Sequence, residues 1–61
     1  MSLTMKAARV NAGLTQHDVC EAIAISLQTL INWEKGRSYP TILQAKQLCD
    51  LYHCKLDDFF I

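Results

Sequence analysis

The sequence predicts an all-α domain built from short helices. Apolar residues recur at helical spacing in several segments, serine or threonine precedes three of those segments, and no segment alternates polar and apolar residues as a strand does. Apolar residues make up 51% of the 61 residues, so a core is attainable without disulfides when the elements are short and helical. We expect residues 1–61 to form a single domain.

The first helix is predicted over residues 3–12, where apolar and polar positions follow helical spacing. It ends at Gly13, because glycine tolerates the left-handed conformation that commonly closes a helix. The second helix begins at Gln16, after Thr15, whose hydroxyl can accept a hydrogen bond from a free backbone N–H. The predicted buried face of this second helix consists of Val19, Cys20 and Ile23.

A corner at residues 24–26 leads to a third helix over residues 27–35, with Ser26 as its N-cap and Gly36 at its end. At about 100° per residue, Leu30 and Trp33 face the core. Leu27 lies at the edge between the buried and exposed faces. The opposite side, here called the outward strip, carries Gln28, Ile31, Asn32 and Lys35.

A fourth helix follows Thr41, and Gln44 three residues later completes a capping-box pattern. Leu43 and Leu51 are expected on its exposed side. The predicted buried stripe is Ile42, Ala45, Leu48, Cys49 and Tyr52. After a break at residues 53–55, residues 56–60 are predicted to form one or two last helical turns.

Composition limits the possible functions. Six lysines and arginines balance six acidic residues, so the chain lacks the global basicity of many nucleic-acid binders. Lys35 and Arg37 nevertheless form a local basic patch beside the third helix. Three cysteines without a Cys-x-x-Cys pair indicate a reduced, cytoplasmic protein rather than a disulfide framework. No apolar run approaches the roughly 20 residues that span a bilayer.

Catalysis is not expected. No nucleophile is flanked by a base and an orienting group, and no glycine-rich phosphate loop is present, so we predict no cofactor, no small-molecule substrate and no enzyme activity. Cys49, His53 and Cys54 raise the alternative of a metal or redox sensor. We do not favour it, because no fourth ligand stands at a zinc-type spacing and free cysteines commonly serve as small buried hydrophobes.

Several motifs occur in one order along almost the whole chain. They are Gly13-Leu14-Thr15-Gln16, the apolar set Val19, Ile23, Ile25, Leu30 and Trp33, then Trp33-Glu34-Lys35-Gly36-Arg37, Pro40-Thr41 and Leu56-Asp57-Asp58-Phe59-Phe60. In this order and spacing the chain resembles the phage repressor/Cro-like helix-turn-helix domains, the XRE family. Ala24 and His53 depart from the family pattern, because glycine is frequent at both positions.

The resemblance implies a compact five-helix, lambda-repressor-like bundle containing a helix-turn-helix, with helix 27–35 in the major groove of double-stranded DNA. It implies an ion pair between Arg9 and Glu34 and a phosphate contact by Gln16. The base-facing positions that it implies are Leu27, Gln28, Ile31 and Asn32.

The chemistry of these side chains suits such roles. The exposed amides of Gln28 and Asn32 can each form two hydrogen bonds with adenine. The methyl groups of Ile31 and Leu27 can pack against the methyl group of thymine. Further phosphate-binding candidates are Ser26, Lys35, Arg37 and Ser38.

The predicted function is sequence-specific binding of double-stranded DNA as a transcriptional regulator of the phage-repressor type. Single domains of this size make few base contacts, so we expect a homodimer on two half-sites about one helical turn apart. The alternative is a protein-interaction module, such as an antitoxin or an adaptor, that binds a partner through Leu27 and Ile31. Salt dependence separates the two, because only DNA binding releases counterions.

Overall fold

The computed structural model describes residues 4–58, and this part of the chain is all-α, as predicted. Its helices are α1 (Met5–Asn11), α2 (Gln16–Ile23), α3 (Leu27–Glu34) and α4 (Ile42–Tyr52), followed by a 3-10 turn at Leu56–Asp58. Among these described residues the α-helices number four rather than the predicted five, because the last segment forms only a short 3-10 turn at Leu56–Asp58. Phe59 and Phe60, also assigned to that segment, lie outside the described residues.

Every α-helix begins at a hydroxyl side chain that accepts a hydrogen bond from the backbone N–H three residues later. The caps are Thr4, Thr15, Ser26 and Thr41, with distances of 3.0, 3.1, 3.2 and 3.2 Å. The predicted caps of α2, α3 and α4 are confirmed. The predicted start of α1 at residue 3 is wrong, because Thr4 adopts an extended conformation and caps the helix from outside.

A residue with left-handed backbone conformation closes every one of these α-helices. These residues, here called the left-handed stops, are Gly13, Ala24, Gly36 and His53, with φ of 75°, 56°, 74° and 56°. After each stop, the next backbone N–H donates to a carbonyl five residues earlier, at 3.2, 3.1, 2.9 and 3.1 Å in chain order. This is the Schellman arrangement, which pairs carbonyls that the helix end leaves unsatisfied.

The core is formed by side chains of all four α-helices. Val19, Leu30 and Leu48 are fully buried, one from each of the three later helices. Trp33 and Tyr52 are also buried, so the predicted rotation of α3, with Leu30 and Trp33 inward, is confirmed. The remaining core residues are Ala8, Ala45 and Cys49.

Two predictions for α4 are wrong. Ile42 was assigned to the buried stripe, yet 66% of it is exposed, because the first turn of α4 extends beyond the core and the stripe begins only at Ala45. Leu51 was expected to be exposed, yet it is half-buried, because Ile23 of α2 lies with it in the groove between the two helices. Leu43 is exposed, as predicted.

Within residues 4–58, no helix is both long and apolar enough to cross a membrane.

Candidate nucleic-acid interface

The carboxylate of Glu34, the last residue of α3, joins three parts of the chain. Arg9 Nε of α1 lies 2.8 Å from Glu34 Oε2, and the side chains of this ion pair are only 10% and 5% exposed. Gln16 Nε2, at the start of α2, donates to Glu34 Oε1 at 3.1 Å. Arg9 also donates from Nη1 to the Leu14 carbonyl at 2.9 Å. The two residues that the resemblance pairs are thus in contact, and they fix the end of α3 against α1 and α2.

The charge of Glu34 affects its buried neighbours. Burial raises the pKa of the Tyr52 phenol, and the Glu34 carboxylate adds to that rise while Arg9 opposes it. Burial also raises the pKa of the Cys20 thiol, again with a smaller contribution from Glu34. Both groups are therefore neutral near pH 7.

The outward strip of α3 lies on the side of the helix opposite Leu30 and Trp33. Gln28 and Lys35 are exposed, whereas Ile31 and Asn32 are half-buried. Gln28 Nε2 donates to Asn32 Oδ1 at 3.0 Å, so the two amides form one hydrogen-bonded pair. The strip thus presents a pair of amides, one aliphatic side chain and, at the end of the helix, an ammonium group.

Leu27 begins α3 at the edge of this strip and is 50% exposed. Together with Ile31 it supplies the apolar part of the surface.

Apart from Gln16 at the start of α2, the candidate phosphate-binding residues lie at the two ends of α3. Ser26 caps the start of α3, where its hydroxyl bonds both the Thr29 backbone N–H and, at 2.8 Å, the Thr29 hydroxyl. Lys35, Arg37 and Ser38 are exposed around the other end of α3. The backbone N–H groups of Arg37 and Ser38 turn back to the Asn32 carbonyl, at 2.9 and 3.5 Å. The loop after α3 is thereby held against the helix that carries the strip.

Sequence reasoning missed two side-chain bonds in this region. The Gln28–Asn32 bond follows the i,i+4 spacing at which side chains meet on a helix, so this spacing was an available signal. The Gln16–Glu34 bond joins residues 18 positions apart, on two different helices, and no local pattern indicates it.

The three cysteines are free thiols, and the pKa of each is raised. Among residues 4–58, no group of three histidine, cysteine or acidic side chains is placed to hold a metal ion. Burial raises the pKa of the Cys49 thiol, and burial together with Cys49 raises that of Cys54 to about 11. A raised pKa disfavours the thiolate, which is the form that binds metals and reacts with oxidants.

The helices α2 and α3 are short, meet at a tight corner and leave the outward strip of α3 exposed. This arrangement defines the helix-turn-helix class of protein. The family model described as Helix-turn-helix matches residues 5–59. The chain belongs to this family, as its resemblance to the XRE domains implied.

Two relatives match along most of their length. The chain is 33% identical over 61 residues to an uncharacterized HTH-type transcriptional regulator of Methanocaldococcus jannaschii, covering 100% of this chain and 92% of the relative. It is 30% identical over 60 residues to the uncharacterized HTH-type transcriptional regulator YgzD of Bacillus subtilis, covering 98% and 91%. No solved structure matches the chain.

Proposed function

We propose that residues 1–61 form one DNA-binding domain of a cytoplasmic transcriptional regulator of the phage-repressor type, which reads double-stranded DNA with α3 in the major groove. The observation that carries this proposal is the outward strip. Gln28, Asn32 and Lys35 offer hydrogen-bond donors and a positive charge on one side of a helix whose other side is anchored by fully buried Leu30. The names of the relatives support the regulatory role.

The phosphate contacts would flank α3. Gln16 and the first backbone N–H groups of α2 would meet one strand, because helix N-termini favour anions. Lys35, Arg37 and Ser38 would meet phosphates near the other end of α3. Since the chain carries no net charge, attraction to DNA would come from this local set rather than from an overall positive field.

A homodimer on DNA is part of the proposal. One copy presents a single short helix to the groove, and two copies related by a two-fold axis would read half-sites about 10 base pairs apart. Leu43 is 69% exposed on α4, and it is a candidate for the surface between the copies.

The proposal is tested by selecting bound sequences from a random duplex library at two salt concentrations. We expect enrichment of a palindrome and a loss of affinity as salt rises, because phosphate contacts release counterions. Two results together would contradict DNA reading: an affinity that does not change with salt, and no enriched sequence. They would favour the alternative, a protein-interaction module that binds a partner through Leu27 and Ile31.

A pair of lysine variants locates the contact surface. Lys35→Ala should weaken binding to all sequences about equally and reduce the salt slope by about 1 per copy. Lys55→Ala is the matched control, because Lys55 is also exposed but follows α4, outside the proposed surface. Equal losses in the two variants would mean that binding depends on total charge and not on α3.

A further inference from the structure

We propose that Glu34 is a positioning residue for DNA binding, because its carboxylate holds the amide nitrogen of Gln16 so that the second N–H of this nitrogen donates to a DNA phosphate. This inference rests on the proposed phosphate contact of Gln16. It goes further, because it gives a part in DNA binding to a side chain that is only 5% exposed and touches no DNA itself.

The acceptor decides which end of the Gln16 amide faces Glu34. Gln16 Nε2, in the first residue of α2, donates to Oε1 of Glu34, the last residue of α3, at 3.1 Å. A carboxylate that is paired with arginine has only acceptor oxygens, so it attracts the amide nitrogen and repels the amide oxygen. The orientation of the amide thus follows from the chemistry of its partner.

The amide nitrogen has one hydrogen atom left. Of the two N–H groups on Gln16 Nε2, the bond to Glu34 uses one. Phosphate oxygens, like carboxylate oxygens, can only accept, so the second N–H is the part of this nitrogen that suits a phosphate. Gln16 is half-buried, so its side chain is still within reach of a ligand at the surface.

Arg9 keeps the carboxylate from repelling DNA. Arg9 Nε lies 2.8 Å from Glu34 Oε2, and the two side chains are 10% and 5% exposed. At this separation the opposite charges largely cancel at the distance of a phosphate. Glu34 therefore offers Gln16 an acceptor without presenting a net negative charge to DNA.

The bond also orders Gln16 before DNA arrives. A free glutamine side chain samples many rotamers, and ordering it on binding weakens affinity. Arg9 Nη1 donates to the Leu14 carbonyl at 2.9 Å, so the group that holds Glu34 is itself fixed to the backbone. Loss of the Glu34 acceptor should weaken the phosphate contact although no atom that touches DNA is removed.

The first experiment measures the affinity of the whole chain for the duplex recovered from the library selection. Gln16→Leu should weaken binding by about 10-fold or more per bound copy, since a hydrogen bond to a charged acceptor is lost. Its salt slope should not change, because the slope follows the phosphates that cationic side chains neutralise. Gln47→Leu is the matched control, because Gln47 is exposed on α4, outside the proposed surface, and its loss should leave affinity unchanged.

The second experiment removes the acceptor and keeps the net charge. Arg9→Met and Glu34→Leu are made together, because apolar groups of similar size can replace a buried ion pair with little loss of stability. Affinity should fall by about 2- to 12-fold per copy, which is the effect of ordering one rotamer-rich side chain. Adding Gln16→Leu to this variant should then weaken binding less than it does in wild type.

A conservative variant tests rescue. Arg9→Met with Glu34→Gln has the same net charge but returns an amide beside Gln16, so affinity should recover toward wild type. Urea denaturation checks that each variant is folded at the assay temperature.

Side-chain amide relaxation of the unmodified chain by NMR gives a readout that does not depend on how any variant folds. Without DNA, the order parameter of the Gln16 amide should exceed about 0.6, whereas that of exposed Gln47 should lie below it.

Three results would overturn the inference while the proposed function stands. They are an affinity of Gln16→Leu equal to wild type, an equal effect of Gln16→Leu with and without the Arg9–Glu34 pair, and a Gln16 amide as mobile as that of Gln47. A wild-type chain that binds no duplex would overturn the proposed function and this inference together.

Discussion

The carboxylate of Glu34 makes two contacts that have different roles. Its Oε2 holds the Arg9 guanidinium, which fixes α1 against α3, and its Oε1 accepts from Gln16, a residue proposed to meet a DNA phosphate. Both oxygens are thereby engaged in a site almost closed to water. Loss of this carboxylate would leave a buried guanidinium without its counter-charge and release the Gln16 amide.

We expect Glu34→Ala to lower the free energy of unfolding by about 3–5 kcal/mol, because removing one partner of a buried ion pair leaves an uncompensated charge. Urea denaturation followed by circular dichroism measures this change. Glu21→Ala is the control, since Glu21 pairs with His17 at 3.1 Å with both side chains largely exposed, and its loss should stay within about 0.5 kcal/mol. Similar losses in the two variants would show that the Arg9–Glu34 pair is not a buried anchor.

The thiol of Cys54 predicts a dependence of stability on alkaline pH. Its pKa is raised to about 11 from an ordinary value near 9, by burial and by Cys49. As pH rises through this interval the unfolded chain loses its proton first, so the unfolded state is favoured and stability falls. Urea unfolding under reducing conditions should therefore show lower stability at pH 10 than at pH 7.5. The Cys54→Ala variant should lose less stability than wild type between pH 7.5 and pH 10. An equal loss in the two proteins would mean that the Cys54 thiol does not cause the pH dependence.

Helix ends and helix faces differed in how far the sequence could predict them. The caps at Thr15, Ser26 and Thr41 were predictable because a hydroxyl acts on a backbone N–H only three residues away. The faces of α4 were predictable only in part. Helical periodicity gives the direction in which Ile42 and Leu51 point. It does not give the residue at which the neighbouring helix ends, and that position decides which of the two side chains is covered.

The left-handed stop at Ala24 predicts a stabilising substitution. Alanine in this conformation has Cβ too close to the following carbonyl, which glycine avoids. We expect Ala24→Gly to raise the free energy of unfolding by about 1 kcal/mol, measured by urea denaturation. Ala22→Gly, two residues earlier and also exposed, should lower it by about 1 kcal/mol, because Ala22 has helical conformation. Changes of the same sign would contradict the left-handed assignment.

The whole molecule depends on a small core. Leu30, Val19 and Leu48 are its largest fully buried side chains, and they come from three different helices. Leu30→Ala should lower the free energy of unfolding by about 2–5 kcal/mol through the cavity that it leaves. Leu43→Ala removes the same atoms from an exposed site and should change stability by less than about 0.5 kcal/mol. A Leu30→Ala chain as stable as Leu43→Ala would mean that the core lies elsewhere.

At the scale of the whole molecule, the sequence predicted the position of the candidate surface better than the hydrogen-bonding groups that this surface leaves free. The angular position of Gln28, Asn32 and Lys35 follows from the periodicity of one helix, since Leu30 and Trp33 fix which side faces inward. The hydrogen-bonding groups that the strip leaves free do not follow from periodicity. They depend on which amide oxygen accepts from which nitrogen, and this is set by side-chain conformation.

The left-handed stops also bear on how quickly the chain folds. Each cap acts over three residues and each stop over five, so the hydrogen bonds that end each of these α-helices are local in sequence. Small helical domains with such local order reach the native state in microseconds to milliseconds. We expect the chain to recover its folded surface, including the outward strip, soon after a transient unfolding event ends.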